Sequence, residues 1–198
     1  MAGVLDLVMQ QLQGGGISQM SQTLGLGEDD VSKVVGGAVP AVLGALTRNS
    51  GSTEGAAALL GALDRDHDGS ILDDVAGFLG SGEGVESGAG VLRHALGDRQ
   101  SRVETALSQS SGVDAASVAK ILAMVAPLIM GALGRTQRQQ SLDASGMADM
   151  LGMEREAVRQ RSPQAVDMLT RLLDSDDDGS VMDEVAQMGS SLLGSLFN

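Results

Sequence analysis

Cysteine, tryptophan and tyrosine are absent from this 198-residue chain, and Phe78 and Phe197 are its only aromatic residues. Without cysteine there is no disulfide, no thiolate metal ligand and no cysteine nucleophile. With 42% hydrophobic residues but almost no rings, the core must be built from Ala, Val, Leu, Ile and the eleven Met. That palette favours helices, because the aromatic residues that favour strands are missing. Proline is scarce at three residues, whereas 28 glycines predict many short helices over a few long ones. Positive charge is also scarce. Thirteen basic residues against 26 acidic ones leave a net charge of -13, which repels nucleic acid and anionic lipid surfaces.

Residues 1–13 (MAGVLDLVMQQLQ) carry an Asp and no Lys or Arg, unlike a secretory leader, so a cytoplasmic protein is expected. The most apolar run, Ile121 to Leu133, holds 13 residues with Pro127 in its middle. A bilayer span needs about 20 residues, so this run predicts a buried helix, kinked or broken, and no membrane insertion.

An internal duplication organises the rest. AVPAVLGAL at 38–46 aligns with VAPLIMGAL at 125–133, placing Pro40 over Pro127 and the Gly-Ala-Leu triplets over each other at an offset of 87. Downstream, Gly55 to Gly61 matches Gly146 to Gly152 at an offset of 91, and each copy leads to an Asp-rich loop. Those loops start at Asp64 and Asp174, so the second copy holds an insertion, assigned to the Arg-rich stretch Glu154 to Ser162. Helices are predicted near 3–13, 17–24, 29–47, 53–63, 72–79, 86–96, 98–109, 114–139, 143–160, 163–173 and 182–196. Asp114 reads as a helix N-cap and Pro163 as a first-turn proline. Gly80 to Gly90 (GSGEGVESGAG) reads as a linker, dividing the chain into an N-terminal half, 1–80, and a C-terminal half, 81–198.

The loops carry the most specific chemistry. One places Asp64, Asp66 and Asp68 at alternate positions before Gly69; the other places Asp174, Asp176 and Asp178 before Gly179. Carboxylates at positions 1, 3 and 5 with Gly at 6 open an EF-hand calcium loop, in which position 7, here Ser70 or Ser180, offers its backbone carbonyl. Position 8 is apolar in both copies, Ile71 and Val181. The usual closing Glu at position 12 is replaced by Val75 and Val185, so the last ligand must come from positions 10 and 11. Asp74 and Glu184 are the first choice, with Asp73 and Asp183 close behind, since one acid of each pair can instead cap the following helix. Calcium suits an all-oxygen cage better than magnesium, and the absence of cysteine disfavours zinc. Without the bidentate closure the expected affinity falls in the micromolar to millimolar part of the EF-hand range. The same residues also make an ordinary solvated Asp-Gly turn.

Little else suggests chemistry. His67 falls at loop position 4 and reads as an exposed spacer, His94 reads as a helix-surface residue, and no catalytic triad, nucleotide loop or zinc-protease pattern accompanies them. An enzyme is not expected. The segment SQTLGLGEDDVSKVV has a helix-turn-helix rhythm, but its second helix opens with Glu28, Asp29 and Asp30 and has Lys33 as its one cation, against DNA binding. The methionines at 147–153 and 182–188 read as core filler more than as a partner groove.

Taken together, DLVMQQL, VPAVLGAL, GAAALLGALDRDHDGSILDDVAGFLG, GVLRHALGDRQ and VAPLIMGALGR resemble the bacterial domain-of-unknown-function family 937, the YidB-like proteins. The resemblance covers about residues 1–190 and implies an all-helical, superhelical bundle; the family has no established activity, catalytic residue or substrate to carry over. The expectation is an all-α protein of two related halves, each with a shortened EF-hand-like loop, in which Ca2+ mainly stabilises the fold. The alternatives are a calcium-responsive protein-interaction switch and a metal-independent scaffold or homo-oligomer building block.

Overall fold

A computed structural model describes residues 3–161, and every regular element among them is helical. The predicted helices 163–173 and 182–196 lie outside the described residues, as does the second acidic loop. The helices are α1 (Val4–Gln11), α2 (Ile17–Leu24), α3 (Glu28–Asn49), α4 (Thr53–Asp66), α5 (Val75–Ser81), α6 (Glu83–Leu96), α7 (Gln100–Ser111), α8 (Ala115–Gln140) and α9 (Ala144–Arg161). Short turns join several of them, including a 3-10 turn at Ser70–Asp73.

Local chemistry explains most boundaries. Asp114 caps α8 by accepting from the Ser117 N–H at 3.0 Å. Ser52 does the same for α4 from Gly55 N–H at 3.0 Å, and Asp74 for α5 from Gly77 N–H at 2.8 Å. Glu28, Asp29 and Asp30 fill the first turn of α3, where the helix dipole favours acids.

The core forms around α8. Residues Ile121 through Leu133 are buried without interruption, and α8 packs against α1, α3, α6, α7 and the 70–73 turn. α3 and α8 are long and apolar enough to cross a membrane by length and composition, yet their most apolar windows are 56% and 78% buried inside this bundle. The expectation of a buried helix holds. Of the two outcomes expected at Pro127, a kink or a break, the break does not occur, since α8 runs on through it, as α3 runs through Pro40. Proline has no N–H, so Pro127 leaves the carbonyl four residues back, that of Ala123, without its helical donor. Gly88 of α6 lies against that carbonyl, so close that an added Cβ would sit 1.7 Å from its oxygen. Glycine Cα–H groups make favourable contacts with carbonyls at such crossings.

Gly88 also overturns the linker reading of 80–90. From Glu83 onward this stretch is the first half of α6, packed on α8, and the chain breaks only at Gly82, with φ 79°. Its glycines permit close helix approach where the sequence alone suggests slack.

The duplication recurs in hydrogen bonds. Ser21 Oγ donates to Leu26 O at 2.6 Å, and Ser108 Oγ donates to Val113 O at 2.6 Å, the same bond 87 residues later. Between them Gly25 and Gly112 take left-handed φ of 67° and 78°. At the 91-residue offset, Gly55 N–H donates to Ser52 Oγ and Gly146 N–H donates to Asp143 Oδ1. Packing is crossed: α4 lies on α8 and α9, while α9 lies on α3 and α4. Helices from both sides of residue 80 thus share one core.

Candidate functional site: the first acidic loop and the groove beside it

Loop residues Asp64, Asp66, Asp68, Ser70, Asp73 and Asp74 are all exposed, and the structure distributes them among separate local tasks. α4 continues through Asp66, so Asp64 and Asp66 belong to its last turn. Residues two apart on a helix face different directions, and these two carboxylates do not converge. Asp68 Oδ1 accepts from the backbone N–H of Ser70 at 2.9 Å and from its hydroxyl, which holds the Asp68 carboxyl below the usual carboxylate range. Asp74 is the N-cap of α5. Asp73 accepts from the guanidinium of Arg135 on α8. Among the described residues no group of three or more His, Asp or Glu is placed to hold a metal ion. The second set, Asp174, Asp176, Asp178, Ser180, Asp183 and Glu184, lies outside the described residues.

The turn at Gly69 does follow the predicted curl. Its φ of 89° is left-handed, a conformation that costs glycine little, and an added Cβ would meet Arg135 Cβ at 2.8 Å. This tight approach places the Gly69 carbonyl 2.6 Å from Arg135 Nη2, so one guanidinium holds both a backbone carbonyl and the Asp73 carboxylate. Arg138, one turn further along α8, donates to Leu63 O at 3.4 Å. Two glycines of α8 admit the loop: Ile71 packs against Gly131, and the His67 carbonyl approaches Gly134. The cation beside the loop is therefore an arginine from a helix 62 residues away. Its sequence signal is the Arg two residues after each Gly-Ala-Leu triplet, Arg48 and Arg135.

Beside the loop, α4 and α6 border an open groove of about 650 Å³, with Leu46, Leu59 and Met130 among its apolar lining and Asp66, His67 and His94 at its polar part. His67 is half-buried there, a correction to its expected role as an exposed spacer, because it closes the C-terminus of α4 and its carbonyl faces α8. Burial lowers the His67 pKa from 6.5, and Asp66 partly opposes the shift. The sign follows: the unfolded chain takes up this proton more readily than the folded one, so stability falls as pH drops through about 6.5. In a His67→Gln chain, melting temperature is expected to fall less between pH 7 and 5 than in the parent; equal slopes would remove His67 from the acid response. At the far end of the groove, Asn49 Nδ2 donates to His94 O at 3.1 Å and Ala95 O at 2.9 Å, closing the C-terminus of α6.

Two further residues escaped the sequence reading. Glu154, placed there in an inserted Arg-rich stretch, is a buried acid of α9 that accepts from Val4 N–H at 2.8 Å and Leu5 N–H at 3.2 Å, capping α1 from across the bundle. Gly88 is the other, through its contact with α8.

A family model described as bacterial protein of unknown function (DUF937) matches residues 6–136, a stretch that includes the first acidic loop and Arg135. Neither the curated proteins nor the solved structures contain a match.

Proposed function

We propose that this chain, which belongs to the DUF937 family of bacterial proteins of unknown function, is a non-enzymatic helical scaffold of two related halves in a superhelical bundle, whose first acidic loop fastens one half to the other. The observation that carries this reading is Arg135, which holds the Gly69 carbonyl and the Asp73 carboxylate together on α8. A fixed guanidinium supplies there the positive charge that the loop's acids would otherwise draw from an ion. The hydrogen bonds repeated at offsets of 87 and 91 support the two-halves arrangement.

The Arg135→Ala chain is expected to lose about 1–2 kcal/mol, mostly from the carbonyl bond, because Asp73 is largely exposed and surface ion pairs contribute little. Arg135→Lys should recover less than half of that loss, since an ammonium lacks the planar fork. Denaturant unfolding of the three chains measures this; a fully restored lysine variant would remove the two-point fastening.

Calcium is the second reading, supported by the alternate spacing of Asp64, Asp66 and Asp68 before the left-handed Gly69. To form such a site the end of α4 must unwind so that Asp64 and Asp66 turn inward, with Asp73 or Asp74 leaving its present partner to close it. Titration calorimetry of the full chain separates the two. The scaffold reading expects no calcium heat and the same melting temperature in calcium and in chelator. Saturable heat that disappears in the Asp64→Ala, Asp174→Ala double variant, with about 2.7 kcal/mol of stabilisation per site at 100 times the dissociation constant, would install calcium as a structural ion.

A further inference from the structure

The groove between α4 and α6 exists because both helices, each packed on α8, line it with small residues. Gly55, Ala58 and Ala62 recur at three- and four-residue spacing on α4, and Ser87 and Gly90 do so on α6, so each set shares one helix face. Leu46 of α3 and Met130 of α8, both buried, complete the apolar lining. Every residue that lines the groove is among the described ones. Its volume of about 650 Å³ falls within the range of small-molecule sites, which are mostly apolar with a few fixed polar groups.

Two polar side chains of the lining have hydrogen-bonding capacity to spare. Ser50 is 2% exposed; its N–H is taken by Leu46 O at 2.9 Å, while its hydroxyl has no partner among the described residues. A buried hydroxyl left unmet is a cost that a ligand removes. On α6, His94 Nδ1 lies 2.9 Å from Gly90 O. A carbonyl only accepts, so Nδ1 carries the proton and Nε2 of the neutral ring is an acceptor, which has no partner among the described residues. Asn49 Nδ2 donates to His94 O at 3.1 Å, so Ser50, the next residue, stands at the same end of the groove as His94. One group there offers a proton and the other takes one, and a ligand hydroxyl answers both. Charge narrows the choice further. The lining residues with formal charge, Arg65 and Asp66, cancel, so this groove is neutral in a chain of net charge -13. We propose that the groove binds an uncharged aliphatic alcohol of medium length, whose hydroxyl donates to His94 Nε2 and accepts from Ser50 Oγ while its hydrocarbon body lies along Leu46, Leu59 and Met130. An alkyl carboxylate brings a charge that the neutral lining does not balance and has no proton for His94.

This site does not depend on the fastening at Arg135, and it is tested by calorimetric titration of the full chain with 1-octanol, with the Met130 methyl resonance locating the ligand. Saturable binding of one alcohol per chain is expected, tightening about fourfold for each methylene added from 1-hexanol to 1-octanol. Octanoate should bind about tenfold more weakly. Octyl methyl ether accepts but cannot donate, and should bind about fivefold more weakly than the alcohol, a difference that vanishes in His94→Ala. Gly90→Leu blocks the groove from a position where nothing lies within 4 Å of an added Cβ, so the chain should stay folded and lose octanol binding. Ala58→Leu, at an exposed position on the opposite wall, repeats the block from α4 and decides the matter should Gly90→Leu lower the melting temperature. Octanol heat that does not saturate, a Met130 methyl that does not shift, or binding that survives both blocks overturns the site. Octanoate binding more tightly than octanol would give the groove to an anion at Arg65 and overturn the alcohol. A preference for alcohol over ether that persists in His94→Ala overturns the contact at Nε2.

Discussion

The Gly88→Ala chain is expected to be about 2 kcal/mol less stable than the parent, although alanine is by itself the better helix former by about 1 kcal/mol. The new methyl carbon would overlap the Ala123 carbonyl oxygen of α8, and neither partner can yield by a rotamer change because both are backbone. α6 must therefore move off α8, opening the contact that covers the carbonyl left free by Pro127. For a chain of this size, 2 kcal/mol corresponds to a fall of roughly 4–8 °C in melting temperature. The control lies two residues away. Gly90, in the same helix, has no atom within 4 Å of an added Cβ, so Gly90→Ala should gain up to about 1 kcal/mol. Opposite signs at 88 and 90 are the result to look for in calorimetric melting; two gains would mean that α6 does not pack on α8 through Gly88.

Removing the carboxylate of Glu154 should cost about 2–3 kcal/mol, since two charge-assisted bonds, one to the buried Val4 N–H and one to the part-buried Leu5 N–H, are lost together. Val4 is 2% exposed and Glu154 is 9% exposed, so water does not readily replace the missing acceptor. Glu154→Gln keeps one oxygen acceptor but loses the charge that suits a helix N-terminus, and should fall between the parent and Glu154→Ala. Because the cap joins α1 to α9, the loss should appear locally as well. Hydrogen exchange at the amides of residues 4–8 should quicken more than exchange within α8 under native conditions. Uniform acceleration throughout the bundle would deny Glu154 its role as a local cap.

Much of the helical order was readable from short-range signals. The spans expected at 17–24, 29–47, 53–63 and 114–139 agree with α2, α3, α4 and α8 to within three residues at each end. Two stretches are ambiguous in sequence for the same reason. Gly80 to Gly90 looked like slack because glycine is common in linkers, yet most of that stretch is a helix brought close to a neighbour by its missing side chains. The acids at 64 and 66 looked like convergent ligands because alternate residues converge in a curled loop, yet α4 runs on through them and turns them apart. Neither motif states whether its backbone is curled or helical; packing against α8 supplies the difference.

What the sequence determined by itself is what neighbouring residues decide among themselves: the helices of the described residues, their caps and left-handed turns, and an excess of acidic over basic side chains. The tertiary structure alone decided which distant groups meet. Arg135 reaches a loop 62 residues earlier, and Glu154 caps a helix 150 residues earlier. Such contacts depend on how whole helices cross, which is settled when apolar faces far apart in the chain are buried together, and no short stretch of sequence carries that geometry.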